Sequence, residues 1–251
     1  MLANAARIAL GPILYAQARR LRAIALELPE PRGARKGVEG SGTPGLRLLV
    51  AGDSSAAGVG ADTQDEALAL PLARDVAGRL NGSVSWQLVA RTGVTSQALL
   101  QLLQDEDVAP ADVAVVVVGV NDLTNEVPLR RALRWRLAIA QWLRARDVTH
   151  VLFTSMPEMQ NFPLIPQPLA WYVGLQARRN NRAQARWAPS ASGVAHVDLD
   201  GMTRADWMAR DGYHPAPKLY GQLARRLGAV IAERVRARPA ARRICDIGRR
   251  T

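Results

Sequence analysis

Hydrophobic and polar positions alternate along this chain in blocks that predict strands and helices in turn. Apolar stretches rich in β-branched residues predict strands at residues 46–51, 84–90, 112–118, 149–155 and 194–199. The third and fourth stretches are almost continuously apolar, which is typical of strands that are covered on both faces. Between and after the strands, apolar residues recur every three or four positions, as in helices, at Leu129, Leu133, Leu137, Ala140 and Leu143 and again at Leu219, Leu223, Leu227, Val230 and Ile231.

This alternation of strands and helices predicts an α/β fold. Right-handed crossovers would place the strands side by side and parallel, with helices on both faces of the sheet. We therefore expect a doubly wound, flavodoxin-like three-layer sandwich with five parallel strands in the order 2-1-3-4-5. The globular domain should cover residues 46–233, a length that suits one such sheet with its helices.

Two segments outside this domain differ from it in composition. Residues 1–45 combine an amphipathic basic segment, whose apolar patch runs from Ile8 to Tyr15, with a linker rich in proline and glycine at residues 29–45. The patch is much shorter than the roughly 20 apolar residues of a membrane-spanning helix. The segment could lie on a membrane or pack on the domain, and both interpretations stay open. Residues 234–251 form a basic C-terminal tail.

Positive charge is concentrated in these two ends. The chain has 33 basic and 22 acidic residues, a net charge of +11. Residues 1–45 hold seven basic residues against three acidic ones, and residues 234–251 hold seven against one, which leaves a net charge of +1 for the domain. A nucleic-acid-binding domain would need a basic face, so we expect no nucleic-acid partner. The basic N-terminal segment is instead a candidate for peripheral contact with an anionic membrane.

Two features of the sequence bear on location and redox chemistry, namely its N-terminal composition and its cysteine content. A secretory leader usually has a longer apolar core and more basic residues at its start than Arg7 alone, so we expect a cytoplasmic protein, with or without membrane association, rather than a secreted one. Cys245 is the single cysteine, which excludes a disulfide or a cysteine-ligated metal cluster within one chain. The oligomeric state is left open.

Small polar motifs follow the predicted strands. Gly52-Asp53-Ser54 comes directly after the first strand, Arg91-Thr92-Gly93 after the second and Gly119-Val120-Asn121-Asp122 after the third. Asp211-Gly212-Tyr213-His214 precedes the last predicted helix. Because open α/β sheets bind ligands at the carboxyl ends of their strands, these motifs should come together there. Each motif alone is common in turns and helix caps, so only their joint occurrence in this order is informative.

Taken together, these motifs resemble the sequence blocks of the SGNH, or GDSL, serine hydrolase family over most of the predicted domain. The resemblance implies Ser54 as the nucleophile, His214 as its base and Asp211 as the residue that orients the base. It also implies an oxyanion hole made by the backbone N–H groups of Ser54 and Gly93 and the side-chain amide of Asn121. Gly93 suits this role, since a donor without a Cβ can approach the oxyanion closely. A metal ion or an organic cofactor is not expected.

The chemistry of these residue types agrees with those roles. A serine hydroxyl is a poor nucleophile until a base takes its proton, and histidine suits that task because its pKa lies near neutrality. His150 and His196 fall inside predicted strands, where a hydrogen-bonded structural histidine is the usual finding, so His214 is the candidate base. We interpret Asp53 and Asp122 as groups that stabilise turns rather than as proton carriers.

Residues 156–172 interrupt the rhythm of strands and helices. This excursion carries four prolines and several large apolar residues: Phe162, Leu164, Ile165, Trp171 and Tyr172. A proline-stiffened apolar loop that follows a strand could form a wall or lid of a substrate pocket, or it could simply pack on the domain.

We therefore predict a serine esterase that hydrolyses a small-molecule carboxylic ester through an acyl-enzyme. The apolar excursion and the basic ends favour a lipid-like or aliphatic acyl group. A carbohydrate O-acetyl esterase is the main alternative, and a non-catalytic binding module with the same fold is the second. The binding module is disfavoured because each residue type that the chemistry needs is present.

Overall fold

A mixed sheet of six strands lies at the centre of the computed structural model, which describes residues 2–237. The strands are β1 Lys36–Glu39, β2 Pro44–Gly52, β3 Ser83–Ala90, β4 Val113–Val117, β5 His150–Thr154 and β6 Val194–Val197. They lie side by side in the order β1-β3-β2-β4-β5-β6. The strands β2 to β6 are parallel to their neighbours, whereas β1 is antiparallel to β3 at one edge.

The five parallel strands confirm the predicted doubly wound α/β sheet. Numbered without β1, they follow one another in the predicted order 2-1-3-4-5. The register pairs Leu48 with both Trp86 of β3 and Val113 of β4, so β2 lies in the middle of the sheet. Because β2 is covered on both faces, its apolar run from Leu48 to Ala51 is almost completely buried.

The edge strand β1 lies in the stretch that composition assigned to a linker, and that assignment is wrong for residues 36–39. β1 pairs with residues 84–87 of β3. Its apolar side chain, Val38, is 55% exposed, so no alternation of buried and exposed residues marks the strand in the sequence. Gly37 made the stretch resemble a linker, but the glycine leaves room for the indole of Trp86, whose Nε1 would lie 3.1 Å from a Cβ at this position.

Helices cover both faces of the sheet and complete the three layers. They are α1 Leu2–Ile24, α2 Ser54–Ala57, α3 Ala69–Leu80, α4 Ser96–Asp105, α5 Val120–Thr124, α6 Leu129–Arg144, α7 Leu169–Trp187 and α8 Pro217–Arg236. The helices α3 and α8 bury their apolar sides against one face of the sheet, and α4 and α6 bury theirs against the other. The predicted helices over 129–143 and 219–231 correspond to α6 and α8.

The N-terminal helix α1 packs on the domain along its described side chains. Leu14 is 6% exposed and lies in an apolar cluster with residues of α7 and of the excursion after β5. Gln17 donates from Nε2 to the carbonyl oxygen of Gln167 at 2.6 Å, and Arg22 donates to the carbonyl oxygen of Thr124 at 2.9 Å. Ile13 is 51% exposed, and contact with a membrane stays a prediction.

Between residues 2 and 237, no helix has the length and apolar character that crossing a membrane requires. The first residues of the predicted basic tail, up to Arg236, continue α8. Residues 238–251, which include Cys245, lie outside the part of the chain that the structure describes.

The junction of β2 with β4 gives a test of this packing. An ideal Cβ at Gly52 would lie 2.0 Å from the carbonyl oxygen of Val117, whereas a Cβ at Gly45 of the same strand would meet nothing within 4 Å. We expect Gly52→Ala to lower the free energy of unfolding by about 3 kcal/mol, because the neighbouring strand must shift. The matched control Gly45→Ala should change it by no more than about 0.5 kcal/mol. Urea denaturation measures both, and equal effects would contradict the described register.

Candidate active site

The loop after the central strand β2 carries Ser54 at the start of a single helical turn. Asp53 is the N-cap of this turn, and its carboxylate oxygen Oδ1 accepts a hydrogen bond from the backbone N–H of Ser55 at 3.0 Å. Gly58 ends the turn with a φ of +97°, in the left-handed region, and donates its N–H to the carbonyl oxygen of Ser54. Ser54 therefore lies at the carboxyl end of the sheet, 8% exposed.

The structure brings Ser54, His214 and Asp211 into one chain of hydrogen bonds. His214 Nε2 lies 2.9 Å from Ser54 Oγ, and His214 Nδ1 lies 2.6 Å from Asp211 Oδ2. A carboxylate only accepts hydrogen bonds, so Nδ1 carries the proton and Nε2 is left as the acceptor for the serine hydroxyl. This is the arrangement in which histidine can take the serine proton.

A tight turn before α8 sets the geometry of Asp211 and His214. Asp211 Oδ1 accepts the backbone N–H groups of Tyr213 and His214, both at 3.0 Å. Gly212 has a φ of +63°, which favours glycine at this point of the turn. The ring of Tyr213 meets the imidazole edge-on, with centroids 5.2 Å apart. The side chain of Asp211 is 2% exposed, so the carboxylate that orients the histidine is shielded from water.

The two other predicted oxyanion donors follow the strands β3 and β4, which lie on either side of β2. Gly93 lies between β3 and α4, and Asn121 lies in α5; Asn121 lines the same cavity as Ser54 and His214. Asn121 Nδ2 donates to the carbonyl oxygen of Val94 at 3.1 Å, and because the amide nitrogen carries two protons, one hydrogen bond to a substrate can still form.

The structure adds a reason for glycine at position 93 to the one that the sequence suggested. A Cβ at Gly93 would meet nothing within 4 Å, so close approach to a protein atom does not require the glycine. The backbone instead has a φ of +82°, in the left-handed region that other residues rarely adopt. The conformation of the loop therefore favours glycine here, and close approach to an oxyanion stays a prediction.

A buried ionic network lies next to the loop with Gly93 and to α5. Asp122, next to Asn121, accepts hydrogen bonds from the backbone N–H of Ser96 at 2.8 Å and from Ser96 Oγ at 2.5 Å. Its other partner is Arg136 of α6, whose guanidinium lies 3.1 Å away and is 1% exposed. Arg136 also donates to Gln184 Oε1 at 2.8 Å, and Gln184 Nε2 donates to the carbonyl oxygen of Thr154 at 2.9 Å. The network thus joins α4, α5, α6, α7 and β5.

Sequence reasoning did not single out Arg136. Arg136 nevertheless lies four residues after Ala132 and four before Ala140, on the side of the helix that faces the core. That spacing was the available signal, because a charged residue on the apolar side of a helix must have a buried partner.

Burial changes the ionisation of the acidic and basic groups around Ser54. The pKa of Asp53 is raised to about 7, because the carboxyl is fully buried and the charge of Asp122 adds to that effect. Burial also lowers the pKa of Arg136, against the opposing effect of Asp122.

His196 Nδ1 lies 2.9 Å from Gln184 Nε2, in agreement with a structural role. Within residues 2–237, no group of three or more candidate ligands could hold a metal ion.

A cavity of about 80 Å³ opens beside Ser54 and His214. Its walls are largely apolar and come from the loops at the carboxyl end of the sheet and from α8, with Leu68, Val117, Leu199, Met202, Leu219, Leu223 and Leu227 among them. The excursion at residues 156–172 contributes Pro157 and Phe162 to this wall. Met159 and Ile165 of the same segment pack away from the cavity, against α1 and α7. The excursion therefore lines the pocket and packs on the domain at the same time.

Comparison with known proteins shows the family to which the chain belongs. Residues 50–222 match the model of the GDSL-like lipase/acylhydrolase family. A GDSL-like esterase from Mycobacterium tuberculosis is 27% identical over an alignment of 188 residues, and the match covers 71% of this chain and 59% of that protein. The chain thus spans about three fifths of the length of this relative.

Solved structures share the fold at low sequence identity. The lipase/acylhydrolase from Enterococcus faecalis has a TM-score of 0.55 and 19% identity, over 75% of this chain and 96% of that one. A variant of an acetyl-xylooligosaccharide esterase from Geobacillus stearothermophilus has a TM-score of 0.54 and 17% identity, over 73% of this chain and 93% of that one. The family model covers more than half of the sequence, and the chain therefore belongs to the GDSL-like lipase/acylhydrolase family.

Proposed function

We propose that this protein is a serine esterase that hydrolyses carboxylic esters through an acyl-enzyme. The observation that carries the proposal is the unbroken chain of hydrogen bonds from Ser54 Oγ through both nitrogens of His214 to Asp211. Such an alignment activates a hydroxyl that would otherwise be a poor nucleophile. Membership of a lipase/acylhydrolase family supports the same reaction class.

The first half of the reaction forms the acyl-enzyme. Ser54 Oγ attacks the ester carbonyl carbon while its proton passes to His214 Nε2, and Asp211 stabilises the imidazolium through Nδ1. The negative charge on the carbonyl oxygen would be met by the N–H groups of Ser54 and Gly93 and by the amide of Asn121. The tetrahedral intermediate then collapses, and the leaving alcohol takes the proton from Nε2.

The second half releases the acid and restores the enzyme. Water attacks the acyl carbon and gives one proton to His214 Nε2. Collapse of the second tetrahedral intermediate breaks the bond to Ser54 Oγ, which takes the proton back from Nε2. The products are the alcohol and the carboxylic acid, and neither half needs a metal ion or an organic cofactor.

The lining of the cavity supports an aliphatic acyl group as the substrate moiety. Leucine side chains from α8 and from the loop after β6 form much of its wall, and apolar contacts with an acyl chain increase with the number of methylene groups that they cover. A carbohydrate O-acetyl ester is the alternative substrate. It is less favoured, because an acetyl group would leave much of this apolar wall without contact.

Covalent labelling with a fluorophosphonate probe tests the nucleophile. Wild-type protein should be labelled at Ser54, and Ser54→Ala should abolish labelling, since no other hydroxyl contacts the base in the described site. His214→Ala should slow labelling by about 10⁴-fold or more. The control Ser55→Ala should react like wild type, because the adjacent hydroxyl lies outside the hydrogen-bonded chain. Labelling that survives Ser54→Ala would place the nucleophile elsewhere, and wild-type protein that does not react would favour the non-catalytic binding module.

A series of p-nitrophenyl esters tests the acyl group. We expect kcat/KM to rise by about tenfold from acetyl to butyryl, because two more methylene groups would be buried at about 0.8 kcal/mol each. Steady-state hydrolysis of acetyl, butyryl, hexanoyl and octanoyl esters gives the profile. Activity confined to the acetyl ester would contradict an aliphatic acyl substrate and would favour the O-acetyl esterase.

A further inference from the structure

The loop that carries Gly93 is hydrogen-bonded from two opposite sides. On the inner side, Asn121 binds the carbonyl oxygen of Val94, as described above. On the outer side, the carboxylate oxygen Oε1 of Glu30 accepts two hydrogen bonds from Thr92, one from its backbone N–H and one from its hydroxyl, both at 2.8 Å. Glu30 precedes the globular domain and lies outside the residues that match the family model.

Glu30 is itself attached to the strand that leads into this loop. Its second carboxylate oxygen, Oε2, pairs with the guanidinium of Arg35 at 2.9 Å. Arg35 also donates to the carbonyl oxygen of Ala90, the last residue of β3, and its own carbonyl oxygen accepts the backbone N–H of Leu88 at 2.7 Å. The two carboxylate oxygens therefore serve two purposes, since one binds the loop and the other fixes Glu30 to the end of β3.

The charge of Glu30 strengthens these contacts. Burial alone would raise the pKa of its carboxyl, but the hydrogen bonds from Thr92 and the charge of Arg35 outweigh that effect, and the pKa is lowered. Glu30 is thus ionised at neutral pH. Hydrogen bonds to an ionised acceptor are roughly twice as strong as neutral ones.

The position of Thr92 matters because the N–H of Gly93 belongs to the peptide group that joins Thr92 to Gly93. The direction of that N–H depends on the backbone angles of both residues. Glycine can adopt many backbone angles, so its neighbours must restrict the peptide if the donor is to point to one place. A misplaced oxyanion donor loses transition-state stabilisation while leaving substrate binding nearly unchanged.

We propose that Glu30 is a positioning residue for the oxyanion hole, because it binds the backbone and side chain of Thr92 and so orients the N–H of Gly93. The segment before the domain thereby contributes to catalysis without touching the substrate. This inference rests on the proposed function, in which Gly93 is an oxyanion donor. The antiparallel strand β1 would support this arrangement, because β1 follows directly after Arg35 and pairs with β3.

Steady-state hydrolysis of a p-nitrophenyl ester by Glu30→Ala tests the proposal. We expect kcat to fall by about tenfold with KM within about twofold of wild type, since removing a whole oxyanion donor costs about a hundredfold or more. Glu30→Gln should recover most of kcat, because its amide oxygen can still accept from Thr92. Thr92→Val, which removes the hydroxyl contact alone, should lower kcat by about threefold. The double variant Glu30→Ala/Thr92→Val should be no slower than Glu30→Ala alone.

The same segment offers a matched control in Glu39. Its carboxylate pairs with Arg74 at 2.8 Å and has a side-chain exposure of 21%, against 30% for Glu30, but it lies far along β1 from the Gly93 loop. Glu39→Ala should leave kcat unchanged. Thermal unfolding of each variant separates a local effect from a loss of folded protein.

The outcomes separate this inference from the proposed function. Wild-type protein that neither hydrolyses the ester nor reacts with the fluorophosphonate overturns the proposed function, and the inference with it. Active wild-type protein with an unchanged kcat in Glu30→Ala, or with an equal loss in Glu39→Ala, overturns the inference alone. If Glu30→Ala shows no cooperative unfolding transition, the kcat of Thr92→Val tests the inference in its place. A threefold loss supports the inference, and an unchanged kcat overturns it.

Discussion

The ion pair between Asp122 and Arg136 is the interaction on which the arrangement of the site depends. Both side chains are almost completely buried, so each charge needs the other and its further hydrogen bonds to offset the loss of hydration. Asp122 obtains them from Ser96, and Arg136 from Gln184. Through these contacts, the helices on one side of the sheet and the loops at its carboxyl edge are fixed relative to one another. Removing one partner would leave an uncompensated charge inside the protein.

The candidate catalytic groups lie where this network meets the end of the sheet. The loop with Gly93 and the helix with Asn121 contact each other through Val94, and the loop with Ser54 follows the central strand between them. His214 reaches Ser54 from a separate turn whose shape is set by the carboxylate of Asp211. An oxyanion hole needs donors that are placed before the reaction, and the contacts described here restrict each loop that would carry one.

Much of the site could be predicted because its residues occur in compact motifs next to strong secondary-structure patterns. Ser54, Asp211 and His214 were predicted from such motifs, and the structure brings them into contact. Arg136 and Glu30 could not be predicted in the same way. The spacing of Arg136 from Ala132 and Ala140 indicates the buried side of the helix but does not identify a partner. A glutamate in a stretch rich in proline and glycine shows no local pattern that distinguishes it from a solvated residue. The role of each residue depends on a partner that is distant in the chain. Asp122 lies 14 positions from Arg136, and Thr92 lies 62 positions from Glu30.

The sequence by itself determined the α/β class, the order of the parallel strands and the family of the chain. Hydrophobic periodicity and turn motifs are properties of short segments, so they can be read without knowing the contacts between distant residues. Only the tertiary structure decided that residues 36–39 form an edge strand and that α1 packs on the domain. It also decided that the backbone at position 93 has a positive φ, which favours glycine. It also decided which charged residues are partners. These features depend on backbone pairing and on contacts between distant residues, which leave no periodic trace in the sequence.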